Sequence, residues 1–394
     1  MIVRKTVFCL GLSQLIIWGI SYYLIGGFGE LIAADLHWSR DAVYGGFAVA
    51  LLVMGLASPL AGRAIDRHGG RRMMIVGSLL NAAGCAGLAL SYTLPTYYLC
   101  WICLGVAMRL TLYDAAFAAL ARIGGPQARG PMSQITLLGG LASTTFWPIG
   151  HVLSEYFGWR GALFVYAGLA LATLPLHFAI PNDRYKELPG GEAALDNRPL
   201  ATTKREILTA SALYVLITAL TNFLNAGMSA QMIAILAGLG LATATSVWIA
   251  TLRGVGQSSA RLCEILFGQR IHPLTLNLIA AAILPFCFIF GIFSGQMGAA
   301  AVAFALFYGI GNGIVTITRG TLPLVLFDHR TYGTYVGKLI APSFLLSAAA
   351  PVVYAVVMDR FGYEATLYFS IVLAVITLIA SIALKWGFDG RHRT

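Results

Sequence analysis

About a dozen apolar blocks of roughly 20 residues run the length of this chain. Each is long enough, as a helix, to cross a hydrocarbon layer ~30 Å thick. Only 11% of the 394 residues are charged and 58% are apolar, whereas soluble domains carry about a quarter charged residues. Too little polar surface remains to coat a soluble fold. A soluble enzyme, a nucleic-acid-binding domain and a disordered scaffold are all excluded, and the pattern predicts an all-α membrane protein.

The apolar windows place twelve membrane helices at about 7–28, 42–61, 73–91, 97–121, 132–153, 161–180, 207–228, 243–262, 274–293, 298–318, 337–357 and 365–385. Residues 229–242 are apolar enough for the seventh helix to run on past Met228. The first block follows Arg4 and Lys5 but is too long for a signal-peptide core and lacks a small-residue cleavage site, so it is read as the first helix.

Twelve crossings put both termini on one side, and basic residues mark that side as cytoplasmic. Alternate loops beginning with the N-terminus hold 21 of the 26 Lys and Arg, while the opposite loops hold Arg40, Arg160 and Arg360 alone. The net charge of +10 therefore reports orientation, and no nucleic-acid partner is implied. The remaining cations, Arg109 and Arg253, fall in mid-helix. The six cysteines lie within or beside apolar blocks; Cys100 and Cys103 are read as small buried residues, with no metal site or disulfide framework. No cofactor motif is present.

The longest polar stretch, 181–206, has the Pro, Gly and charge content of a linker and divides the chain into bundles at 1–180 and 207–394. The halves also resemble each other. Gly62-Arg63-Ala64-Ile65-Asp66 through Gly70-Arg71-Arg72 matches Ala260-Arg261-Leu262-Cys263-Glu264 through Gly268-Gln269-Arg270, and Glu155–Trp159 matches Asp359–Tyr363. Two matches in the same order predict two pseudo-symmetric six-helix bundles, the architecture of alternating-access transporters.

The loop Gly62-Arg-Ala-Ile-Asp66-Arg67-His-Gly69-Gly70-Arg71-Arg72, between the second and third helices, resembles the signature loop of the major facilitator superfamily. Arg129-Gly130, Pro148, Gly158-Trp159-Arg160 and Tyr332-Gly333 are similar to pieces of its bacterial branch related to monocarboxylate carriers. The chain departs from that branch where an Arg in the fourth helix is followed four residues later by Gly: here Arg109 is followed by Tyr113. The resemblance implies a monomeric multi-pass carrier of the inner (plasma) membrane, its halves rocking around a central site. It assigns Asp66, Arg67, Arg71 and Arg72 to gating, with Arg261 and Glu264 as a second copy. Asp66 is expected to pair with nearby Arg residues and to cap a helix N-terminus; the competing reading is an orientation signal with solvated charges.

An ionisable group at mid-bilayer costs ~2.5–3.5 kcal/mol on insertion scales, so each invites explanation. On a continuous helix Arg109, Tyr113 and Phe117 share one face, as do Arg253 and Gln257 on another. A cation beside an aromatic and an amide suits an organic carboxylate; alternatively, Arg109 or Arg253 pairs with Asp114 as a buried ion pair. Asp114, a carboxylate well inside a span, is expected to carry the coupling proton. Gln14, His151, Asn222, Asn225 and Asn312 are the other polar groups in the spans; packing is their default role, with Asn222 and Asn225 carried as cavity residues. Trp18 with Tyr22 and Phe304 with Tyr308, each spaced i, i+4, are expected as cavity walls. The reading is a secondary transporter of a small organic anion coupled to protons. The alternative is a proton-antiport exporter of drugs or toxic metabolites, with the arginines structural.

Overall fold

A computed structural model describes residues 2–185, 199–267 and 271–388. The middle of the expected linker, the Gly268-Gln269-Arg270 end of the repeat, and the C-terminal Arg391 and Arg393 lie outside the described residues. Every regular element among the described residues is helical.

The helices follow the apolar blocks but divide them more finely. In the first half they are α1 (Arg4–Ile17), a π-helical turn (Trp18–Tyr22), α2 (Leu24–Leu36), α3 (Arg40–His68), α4 (Gly70–Ala89), α5 (Leu94–Thr111), α6 (Tyr113–Gly124), α7 (Arg129–Gly140), α8 (Ala142–Ala172) and α9 (Leu174–Phe178). In the second half they are α10 (Lys204–Gly238), α11 (Thr243–Phe267), α12 (Pro273–Ile292), α13 (Gly298–Leu326), α14 (Tyr332–Phe361) and α15 (Tyr363–Phe388).

Among the described residues nine stretches are long and apolar enough to cross a membrane, and one of them, Leu94–Phe178, runs for 85 residues. At 1.5 Å per residue that is about 130 Å of helix, enough for three or four crossings. It turns back at Gly125 and again inside α8 at Gly158, whose φ of 67° is a left-handed conformation that glycine adopts without a Cβ clash. Three crossings come from this stretch. With α11, which Arg253 and its Ser, Thr and Gln residues make less apolar than the others, the described residues hold twelve crossings. The seventh does run past Met228, to Gly238. It starts at a capping box in which Thr203 accepts from the Glu206 N–H and Glu206 reaches back to Thr203.

The chain forms two compact units, residues 1–194 with 329–341, and 195–328 with 342–394. The boundary differs from a single cut at the linker, because the first turns of α14 pack with the first unit. Within the first unit the second span packs on the fourth, the third on the fourth, and the third on the sixth (α3–α5, α4–α5, α4–α8). Within the second unit the corresponding spans pair in the same way (α11–α13, α12–α13, α12–α15). The repeated pairing is what a duplicated six-helix unit gives.

Candidate functional site

Three spans of the first unit leave α geometry, and their irregular points are tied together. In the first span Tyr23 N–H bonds the Trp18 carbonyl (3.0 Å), which makes the π turn. In the fourth span Leu112 is extended (ψ −177°) between α5 and α6. Ala115 N–H then bonds Leu112 instead of Thr111, and the freed Thr111 carbonyl accepts from Gln14 Nε2 (2.7 Å). In the fifth span Leu141 makes a tight turn between α7 and α8. The Trp18 ring lies 4.8 Å from Tyr22 and 4.9 Å from Tyr113, Tyr113 stacks on Phe117, and Tyr113 OH donates to the Thr136 carbonyl of α7. Broken helices at membrane depth are tolerated where other groups re-satisfy the freed backbone, and such irregularities cluster at functional sites.

The break at Leu112 corrects the expectation that Arg109, Tyr113 and Phe117 share a face. That reading assumed one continuous helix, and the extended residue interrupts the register after Arg109. Tyr113 and Phe117 stay together on α6, with Trp18 against Tyr113 and Tyr22 behind Trp18. Arg109 is buried on α5 and donates from Nε to Ser58 Oγ of α3 (2.6 Å). Asp114 is 7% exposed and occupies the first turn of α6, where the helix dipole favours negative charge.

The second unit gathers the other expected residues, with two exceptions of emphasis. Arg253, near the middle of α11, donates to Asn225 Oδ1 of α10 (2.5 Å), and its guanidinium lies 5.2 Å from the centre of the Tyr308 ring. Asn312 Nδ2 of α13 donates to the same Asn225 oxygen (3.0 Å). The backbones of α11 and α13 meet here: a Cβ on Gly309 would fall 2.1 Å from the Arg253 carbonyl oxygen, and one on Gly313 2.7 Å from that of Gln257. These two glycines, spaced as G-x-x-x-G, let the helices touch where Arg253 and Gln257 emerge. Gln257 is half-buried beside them. Asn222, one turn before Asn225, donates to Ser343 (3.0 Å) and accepts from Arg319 (3.3 Å). Arg319, expected in a loop, sits inside α13 and was missed as a site residue. Phe304 is a correction in the other direction: it is wholly buried in the apolar core with Phe288 and Leu367 and walls no cavity. Tyr308 is equally buried, its OH donating to the Leu224 carbonyl (3.1 Å) while its face serves Arg253.

The signature loop has a defined job within the first unit. Asp66 accepts from the N–H groups of Gly333 (3.1 Å) and Thr334 (2.6 Å), the first turn of α14. A carboxylate on exposed helix N–H donors is both a cap and a dipole partner. Arg122 Nε donates to the Asp66 carbonyl (3.2 Å), and Arg71 Nε to that of Ile180. Arg67 and Arg72 are exposed, so in this arrangement they are solvated charges. Arg261 and Glu264 are buried, at 2% and 3% exposure.

Residues 10–341 match the family model of the Major Facilitator Superfamily. The chain belongs to that superfamily. It is a multi-pass membrane transporter, not an enzyme. An uncharacterized transporter of Bacillus subtilis, YycB, is 24% identical over 92% of this chain and 88% of its own length. Human monocarboxylate transporter 1 is 29% identical over 32% of this chain and 25% of its own. A multi-drug resistance efflux pump PmrA homolog of Lactococcus lactis is 28% identical over 44% of each. Among solved structures, the proton:xylose symporter XylE superposes with a TM-score of 0.77 at 15% identity, over 98% of this chain and 95% of that one, a likeness of fold.

Proposed function

We propose that this superfamily member is a secondary transporter of a small organic anion with a carboxylate group, coupled to protons and working by alternating access. The observation that carries the reading is Arg253. Its guanidinium is set at mid-helix by an amide oxygen and a tyrosine face, and no carboxylate among the described residues lies within ion-pair distance of it. A half-buried cation at mid-helix held by neutral groups keeps part of the cost of its desolvation, and a bound anion offsets it. Asn225, Asn312 and Gln257 give the site polar neighbours, while Asn222 and Arg319 form a second polar step one turn along α10. The carboxylate substrates of the human relative favour the same class.

Asp114 is the proposed proton carrier, and Asp66 on the α14 N-terminus, with Arg71, Arg261 and Glu264, the proposed gate. The charge asymmetry of the loops supports an orientation with both termini cytoplasmic, and a monomer of the plasma membrane is proposed from the family resemblance. A proton-antiport exporter of drugs or toxic metabolites is the second reading, favoured by the Lactococcus relative and by the aromatic group of Trp18, Tyr22, Tyr113 and Phe117, in which Tyr113 directly precedes Asp114. Proteoliposomes separate the two. The first reading expects saturable carboxylate uptake that rises with an inward proton gradient; dye extrusion without carboxylate uptake would replace it with the second.

A further inference from the structure

The hydrogen bonds around Arg253 fix the orientation of two asparagine amides, and with it the kind of group that can sit beside the bound carboxylate. Arginine has five N–H donors and no acceptor. The Asn225 atom 2.5 Å from Arg253 is therefore the amide oxygen. Asn312 approaches that same oxygen to 3.0 Å, so it must present its NH2 there. The Asn312 carbonyl oxygen is consequently turned away from Asn225. No donor among the described residues reaches it, and it is not among the sealed, unpartnered atoms of the interior.

Three open polar groups result. Two are donors, the remaining N–H groups of Arg253 and the free Asn225 NH2; the third, Asn312 Oδ1, accepts only. The two short links at Asn225 put Asn312 Oδ1 no farther than about 8 Å from the Arg253 nitrogen, within the longest span of the pair of contacts described next. A carboxylate hydrogen-bonded to Arg253, bearing on its adjacent carbon a hydroxyl that donates to Asn312, covers about that reach at ordinary hydrogen-bond lengths. A 2-oxo group in the same place would set one carbonyl oxygen against another. A 2-ammonium group could donate, but it would bring a second cation beside an arginine that has no carboxylate partner.

We propose that Asn312 is a specificity-determining residue that makes this site prefer 2-hydroxycarboxylates over their 2-oxo and unsubstituted counterparts. The proposal rests on the anion-binding reading of Arg253. Asn312 is suited to the task because its position and its amide are both set: Gly309 and Gly313 bring α13 against α11 at the level of Arg253, and the bond to Asn225 Oδ1 fixes which end of the amide faces outward.

Calorimetric titration of the purified full-length protein with butyrate, 2-oxobutyrate and each enantiomer of 2-hydroxybutyrate tests this without any variant. One hydroxybutyrate enantiomer should bind at least fivefold more tightly than 2-oxobutyrate, the scale of one hydrogen bond gained against an acceptor left unpaired. In Asn312→Ala the two should come within twofold of each other, and Asn312→Ser, whose hydroxyl can accept at shorter reach, should keep part of the gap. Equal or tighter binding of 2-oxobutyrate by the native protein overturns the proposal while leaving the Arg253 site standing, provided butyrate binding is lost in Arg253→Ala. Binding of all four that is indifferent to Arg253→Ala, or no binding of any, overturns both.

Discussion

Replacing Gly309 with alanine should disable the anion site from behind. The added methyl would lie 2.1 Å from the Arg253 carbonyl oxygen, 2.9 Å from its carbon and 3.0 Å from the Gln257 nitrogen. All three are backbone atoms, so no side chain can swing aside, and ordinary contact near 3.4 Å requires α11 and α13 to part by more than 1 Å. Over-packing of this kind costs about 1–3 kcal/mol. The separation also moves the Arg253 main chain away from Tyr308 and Asn312, which lie on α13, and strains its bond to Asn225. The variant should therefore fold with a melting temperature lowered by a few degrees and lose at least tenfold in carboxylate affinity, about 1.4 kcal/mol. Gly298→Ala is the matched control on the same helix, since nothing lies within 4 Å of the methyl it would add; it should match the native protein in both measurements. Scanning fluorimetry and uptake by proteoliposomes read the two effects. Native melting and native uptake in Gly309→Ala would refute the placement of Arg253 by this helix contact.

Asp114→Asn should keep exchange of substrate across the membrane but lose uptake against a gradient, as expected of a proton carrier. Intact gradient-driven uptake in that variant would remove Asp114 from coupling. Arg160 lies between the rings of Tyr92 (4.2 Å) and Trp159 (4.1 Å) and donates to the carbonyls of Ala89 (2.8 Å) and Ser91 (3.1 Å), with Asp35 at 3.5 Å. Arg160→Ala should cost about 1–3 kcal/mol of stability yet leave transport per folded molecule unchanged. A lowered turnover at equal folded protein would show that this clasp takes part in the cycle.

The sequence carries the twelve spans because apolar length and loop charge are local quantities, summed over windows of one helix. It carries less of the site, because the site is made by departures from local expectation. Nothing in Leu110–Ala116, a run without Gly or Pro, announces that Leu112 is extended; the break depends on Gln14, 97 positions away, accepting the role of the lost donor. A charge marks the end of an apolar window, which puts Arg319 in a loop, whereas the helix continues to Leu326 and Asn222 accepts from its guanidinium. Phe304 looked like a wall because spacing gives a face but not which neighbour covers it. The cap on α14 joins Asp66 to a residue 267 positions on, beyond any reading of the loop alone. Gly309-x-x-x-Gly313 was present in the sequence as a helix-contact motif, and following it would have pointed to the helix that carries Arg253.

The central claim, that Arg253 binds the substrate's carboxylate, is tested most directly by measuring carboxylate uptake in proteoliposomes made with the native protein, Arg253→Lys and Arg253→Ala at matched amounts of folded protein. Lysine keeps the charge but loses the planar two-point fit. The account predicts full uptake, partial uptake and none, with melting temperatures close to one another. Native uptake by Arg253→Ala, or an alanine variant that fails to fold while transport-competent substitutions of Arg253 carry no charge, would contradict it.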